Sequence, residues 1–341
     1  MLPQRLQAPS LHDLHTSVHG HLADAQAQVT VQFSAPDQYP APVLAALDAL
    51  CATYGPRLEV RFYGHYAGAP FDGHTLEALP NVQALSLDCL YQVAHLERLQ
   101  GLTGLHSLAL NIDKVDLNPL VAFDTLRTLR QLSVGQETGP KLDLLPVSRL
   151  PHMQAFHLSA KTTGLAPLRA LSALNELSLW RQPASTSLEV VATLPHLREL
   201  SIGFGSRKTI AEVRSDSVTH LWVCRVRGLQ ALDLAHFAQL HVLQVEDQPH
   251  IACLNLAPCR QLRALRLENL KTLAQLDGMR QVPLSKLSIY KTPALDLPSL
   301  LDSPPPTLRS VRLISGKRAP DHALEARRTA LGLGTVSGVF E

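Results

Sequence analysis

The sequence predicts an α/β solenoid, in which short stacked repeats share one parallel sheet and return through short helices or 3₁₀ turns on its other side. Three observations lead there. A nine-residue pattern, L-x-x-L-x-x-L-x-L, recurs eleven times at offsets of 21 to 24 residues. In all eleven copies the last three template positions are apolar. The chain of 341 residues is rich in Leu and Ala, while aromatic residues make up only 5%. That balance suits a core built from one repeated aliphatic layer.

Ahead of the repeats, residues 10–24 read as an amphipathic helix. Ser10 stands as N-cap with Asp13 three residues on, and Leu11, Leu14, Val18 and Leu22 share one face. VTVQF (29–33) alternates as a strand does, and PVLAALDALCATYG (42–55) reads as a helix stopped by Gly55. RLEVRFYG (57–64) is a second strand. This β-α-β segment is expected to begin the sheet, so residues 1–78 form an N-terminal cap continuous with the solenoid, with helical units longer than those that follow.

The repeats occupy residues 79–316. LPNVQALSL (79–87) returns as LTGLHSLAL (102–110), LRTLRQLSV (126–134), LPHMQAFHL (150–158), LSALNELSL (171–179) and LPHLRELSI (194–202). Looser copies begin at 215, 237, 259, 281 and 305. Within each copy the closing x-L-x-L alternates, so the Leu column faces inward and the intervening residues face out. A single strand cannot bury its inner face alone, and stacking repeats gives all of them one continuous core. Residues 317–341 form the C-terminal cap: PDHALEARRTALG (320–332) predicts a helix ending at Gly332, and TVSGVF (335–340) a closing strand.

With those repeats and the return segments VDLNPL (115–120) and GLAPLRAL (164–171), the chain resembles bacterial leucine-rich-repeat proteins, in particular those with short internalin-like repeats. The resemblance covers about residues 79–316 and implies a leucine-rich-repeat solenoid with a curved sheet on its concave face. It also implies an Asn a few residues past each strand, where its side chain satisfies turn backbone groups. Here those positions hold Asp113, Gln182, Val226, Gln248 and Thr292 among others, so another means of satisfying the turns is expected.

The charge balance of +2 has no long run of one sign, which argues against a nucleic-acid footprint. The clusters Arg207-Lys208, Arg225/Arg227, Lys317-Arg318 and Arg327-Arg328 read as solvated surface. Five cysteines with no paired spacing do not make a disulfide framework. With no leader-like apolar stretch and no run of about 18 apolar residues, the expectation is a cytoplasmic protein without membrane contact. His12, His15, His19 and His21 read as the polar flank of the first helix. No zinc spacing, nucleophile elbow, P-loop or dinucleotide fingerprint stands in the sequence. The prediction is a non-enzymatic protein with no metal and no cofactor.

Function is therefore expected on the outward strand positions. Both Trp residues of the chain, Trp180 and Trp222, fall there. The intervening strand offers only Ser201 and Gly203, which predicts a shallow floor between two indoles, edged by Phe204, His220, Glu176 and Glu199. Aromatic residues of this kind anchor protein interfaces because they bury a large area and keep one polar atom. Further along, Arg225, Glu246, Arg266, Glu268, Tyr290 and Arg312 make a mixed-charge stretch suited to orienting a charged partner. His157 is a further outward-facing candidate. The expected partner is another protein. The leading expectation is a bacterial immunity or inhibitor protein that neutralises a toxin or enzyme. The alternatives are a secreted effector acting on a host target and an adaptor within a bacterial complex.

Overall fold

The computed structural model describes residues 3–65, 69–90 and 93–336. Its Cα positions cluster into two compact units, Met1–Ala173 and Leu174–Glu341.

In the first unit, strand β1 (Gln4–Gln7) precedes helix α1 (Leu11–Leu22), strand β2 (Val29–Phe33), helix α2 (Ala41–Tyr54) and strand β3 (Leu58–Tyr63). Ser10 caps α1 by accepting from the Asp13 backbone N–H, and α1 buries Leu14, Val18 and Leu22. His12, His15, His19 and His21 are exposed. Gly55 closes α2 at φ +57, a left-handed angle that costs glycine little. Two short strands, β4 (Phe71–Asp72) and β6 (Val93–Ala94), pair with each other on either side of β5 (Ala84–Leu90). Then come β7 (Ser107–Ile112), the single helical turn α3 (Asn118–Val121), β8 (Gln131–Gly135) and β9 (Ala155–Ser159). The main sheet of this unit runs β1-β2-β3-β5-β7-β8-β9, all parallel. Strand β1 was not expected. Its QRLQ sequence is mostly exposed, so no apolar alternation marks it.

The second unit holds β10 (Glu176–Trp180), β11 (Glu199–Gly203), β12 (His220–Cys224), β13 (Val242–Glu246), β14 (Cys253–Asn255), β15 (Ala264–Glu268), β16 (Gln275–Asp277), β17 (Lys286–Tyr290), β18 (Ser310–Ile314) and helix α4 (Arg318–Ala330). Its main sheet runs β10-β11-β12-β13-β15-β17-β18, again parallel and paired without a register shift. Strands β14 and β16 pair separately. The residues 335–340 of the expected closing strand lie mostly outside the described residues. Just before them Gly334 bridges Ser310, and Val336 packs on Val242 and Ala264.

All eleven sequence copies end in a strand of a main sheet, because each carries the period-two pattern that buries one face. In β11, Leu200 is 1% exposed while Glu199 and Ser201 face out. Burying such a Leu contributes about 1.5–3 kcal/mol, and the column repeats from strand to strand. The returns are short 3₁₀ segments such as Ala166–Ala170 and Glu189–Thr193.

Two features depart from the aliphatic plan. Phe33, Phe62 and Phe71 are fully buried in the first unit beside Tyr39, with ring centroids 5.8 Å (Phe33–Phe62) and 4.7 Å (Phe62–Phe71) apart. His65 is buried against them, its Nε2 2.9 Å from the Tyr39 hydroxyl and its Nδ1 3.0 Å from the Tyr63 carbonyl. The missing Asn ladder is replaced piecemeal. Gln136 donates to the Ile112 and Val115 carbonyls, Gln182 to Trp180 and Gln248 to Glu246. Asp113 accepts from the Glu137 and Thr138 amides. Arg207, expected on the surface, is 7% exposed. Its guanidinium donates to the Pro183 and Thr186 carbonyls and pairs with Glu212 at 3.1 Å. A turn short of an amide side chain draws in a longer donor, and its five N–H groups reach several carbonyls at once.

Candidate functional site

The site is built on the open face of the second unit by the ends of β10, β11 and β12. In-register pairing sets Trp180 beside Gly203 and Ser201 beside Trp222. Small residues on the middle strand leave room, and the large rings fill it. The indoles of Trp180 and Trp222 meet edge to face with centroids 5.4 Å apart. Phe204 stacks on Trp180 at 4.9 Å. The expected open floor between two indoles is therefore corrected: the rings lean together over Ser201 and Gly203, because burying apolar ring surface outweighs leaving a gap. Trp180, Trp222 and Phe204 all remain half-buried.

The two indole nitrogens differ. Trp222 Nε1 donates to Glu246 Oε2 at 3.3 Å. Trp180 Nε1 is buried with no hydrogen-bond partner, which costs about 1–3 kcal/mol. Cys224, next to Glu246 in register, is 5% exposed and its thiol is pushed up to about 12 by burial and by the neighbouring Glu246 and Asp247 charges. It is a packing residue here.

Beyond the strand ends, the ladder continues for one more residue in the left-handed region. Arg181, Phe204, Arg225, Asp247, Asn269 and Lys291 have φ between 49 and 59. Each donates its backbone N–H to the last carbonyl of the next main-sheet strand, as Phe204 does to Cys224 at 2.9 Å and Lys291 to Ile314 at 2.8 Å. Their side chains form a row. The Arg225 guanidinium lies 5.5 Å from the Phe204 ring centroid and pairs with Asp247 at 2.5 Å. Asn269 donates to the other Asp247 oxygen at 2.8 Å. Arg181 and Asn269 were not anticipated as members of this row. The turn conformation that aligns them has no shared residue type to betray it.

The remaining candidates surround this core. Glu176, Glu199 and His220 lie side by side in register at the strand starts, with His220 Nδ1 2.9 Å from the Thr219 hydroxyl. Arg266 and Glu268 pair within β15 at 2.5 Å. Tyr290 has the Lys291 ammonium 4.9 Å and the Arg312 guanidinium 5.8 Å from its ring centroid. His157 stands half-buried on β9, in the first unit. The expected mixed-charge stretch is thus a set of short-range pairs.

In-register parallel strands every 21 to 24 residues, buried Leu columns and 3₁₀ returns decide the architecture. The fold is a leucine-rich-repeat solenoid. No protein-family model matches the chain, and a search of curated proteins finds no match. Solved structures of similar fold include a leucine-rich-repeat protein of Leptospira interrogans, at 13% identity and a TM-score of 0.44 over 99% of this chain and 100% of that one. Internalin C2 of Listeria monocytogenes is 19% identical with a TM-score of 0.37 over 69% of this chain and 85% of its own. The TLR13–ssRNA13 complex is 15% identical with a TM-score of 0.46, over 90% of this chain. This chain spans 46% of the length of the chain it matches in that complex. Among the described residues, no helix is long and apolar enough to cross a membrane.

Proposed function

We propose that this leucine-rich-repeat chain binds another protein through the open face of its second unit, and that in doing so it inhibits a toxin or enzyme, as an immunity protein does. The observation that carries the reading is the cluster of Trp180, Trp222 and Phe204. Three large rings sit half-buried on an otherwise polar sheet face, flanked by an exposed arginine, Arg225. Interface hot spots have this composition, an aromatic and Arg core inside a polar rim. The unpaired Trp180 Nε1 supports it further, since turning the ring on docking lets that N–H meet an acceptor. A sheet face held by backbone ladders loses little ordering entropy on docking, which suits tight inhibition.

The test is affinity capture from the native host with the wild-type chain and with the Trp180→Ala/Trp222→Ala double variant. The wild type is expected to retain a partner that the variant loses, while circular dichroism shows the variant folded. Activity of the captured partner is expected to fall to background at one equivalent of chain. Capture by both proteins alike removes the site. A partner that stays fully active when bound removes the inhibitory role and leaves the binding role standing.

A further inference from the structure

In the first unit, at the small β4–β6 sheet that stands apart from the main one, three side chains able to ligate a metal converge. Asp72 ends β4, His74 follows it in the 3₁₀ turn Gly73–Ala78, and His95 follows β6. The β4–β6 pairing sets Asp72 opposite Ala94, which brings His95 alongside. Asp72 Oδ1 lies 2.8 Å from His74 Nδ1 and 3.0 Å from His95 Nδ1, and the two imidazole centroids are 4.5 Å apart. One ligand atom from each residue falls within 4.8 Å of the others.

The backbone is shaped to this approach. His95 sits at φ 54, in the left-handed region that non-glycine residues enter at a cost. A Cβ on Gly73 would lie 2.0 Å from the His95 carbonyl oxygen, so glycine alone lets the two turns close up. The spacing is the repeat's own: 21 residues separate His74 from His95, and 23 separate Asp72 from His95.

We infer that Asp72, His74 and His95 form a binding site for a divalent cation of the zinc class. Two imidazoles and one carboxylate select zinc, nickel or copper over calcium or magnesium, which take oxygen ligands. Ligand bonds of about 2.0–2.2 Å in a tetrahedron set donor atoms about 3.3–3.6 Å apart, so the two Asp72–imidazole separations of 2.8 and 3.0 Å need only a small expansion. Asp72 Oδ1 can only accept, so each Nδ1 now carries the ring proton. On binding, the Nδ1 lone pair of each ring takes the metal and the ring keeps a proton at Nε2. The Arg98 guanidinium, which donates to His74 Nε2 at 3.0 Å, also pairs with Glu77 at 3.1 Å. It leaves the ring for that carboxylate, and Nε2–H is freed to face solvent. All three ligands are exposed, so water fills the remaining coordination.

The experiment is calorimetric titration of the tag-free full chain with zinc sulfate, after treatment with a chelator. One ion per chain is expected. His74→Ala and His95→Ala are each expected to weaken binding by at least the roughly 10–100-fold that loss of a supporting group costs a metal site. All three positions are exposed, so both variants are expected to fold, checked by circular dichroism. A His12→Ala/His15→Ala/His19→Ala variant is expected to bind as the wild type does. Unchanged binding in His74→Ala/His95→Ala overturns the site, as does loss of binding in the helix variant or absence of zinc binding by the wild type.

Discussion

At the scale of single residues, His65 ties folding to pH. Burial is the main influence on it and disfavours the imidazolium, against a smaller opposing pull from the Tyr63 carbonyl, so its pKa lies below the usual histidine value. The unfolded chain therefore takes up the proton first. Stability from this group is fully present above about pH 6.5, the unperturbed value, and is lost as pH falls below it. The urea midpoint is expected to drop between pH 7.5 and 5.5, and to drop less in His65→Phe. Gly278 is a second sensitive position. It sits at φ +77, and an added Cβ would meet the Ala257 nitrogen at 2.4 Å. Gly278→Ala is expected to cost about 1–3 kcal/mol in thermal unfolding, since the strain falls on backbone that cannot step aside. Neither residue could be singled out from its neighbours in the chain. His65 is one of 16 histidines, and only the aromatic packing around it makes it unusual.

Among elements, legibility followed periodicity. The eleven repeat strands could be read directly because Leu at every second position has to face one way. The Ser10 cap and the Gly55 and Gly332 stops could be read because each answers a specific backbone need. The two indoles were placed on the open face by register alone. Their contact was not foreseen, since register gives strand spacing and says nothing of how a ring leans. The left-handed row past the strand ends was hidden too, because Arg, Phe, Asp, Asn and Lys all occupy it. Only Asn and Asp favour that conformation. A pair of substitutions tests the row: Lys291→Val is expected to destabilise by about 1–2 kcal/mol, as a β-branched residue resists this conformation. Lys291→Asn is expected to leave the thermal midpoint nearly unchanged.

Across the molecule, stacking makes damage local. Leu200 is 1% exposed, and its ladder partners are Leu177 and Leu221. Leu200→Ala is expected to cost about 2–5 kcal/mol. In a stack where each repeat touches its immediate neighbours, hydrogen exchange is expected to quicken in β10 to β12 and to stay at the wild-type rate in β17 and β18. Uniform quickening throughout the second unit would show a single cooperative block instead. The six left-handed positions, finally, separate what the scaffold needs from what it displays. The main-chain N–H there closes the ladder whatever side chain it carries, so Arg181, Phe204, Arg225, Asp247, Asn269 and Lys291 work as lettering on a fixed line. Exchanging them within the side chains unbranched at Cβ changes what this edge of the face displays and leaves the hydrogen-bonded frame beneath as it is.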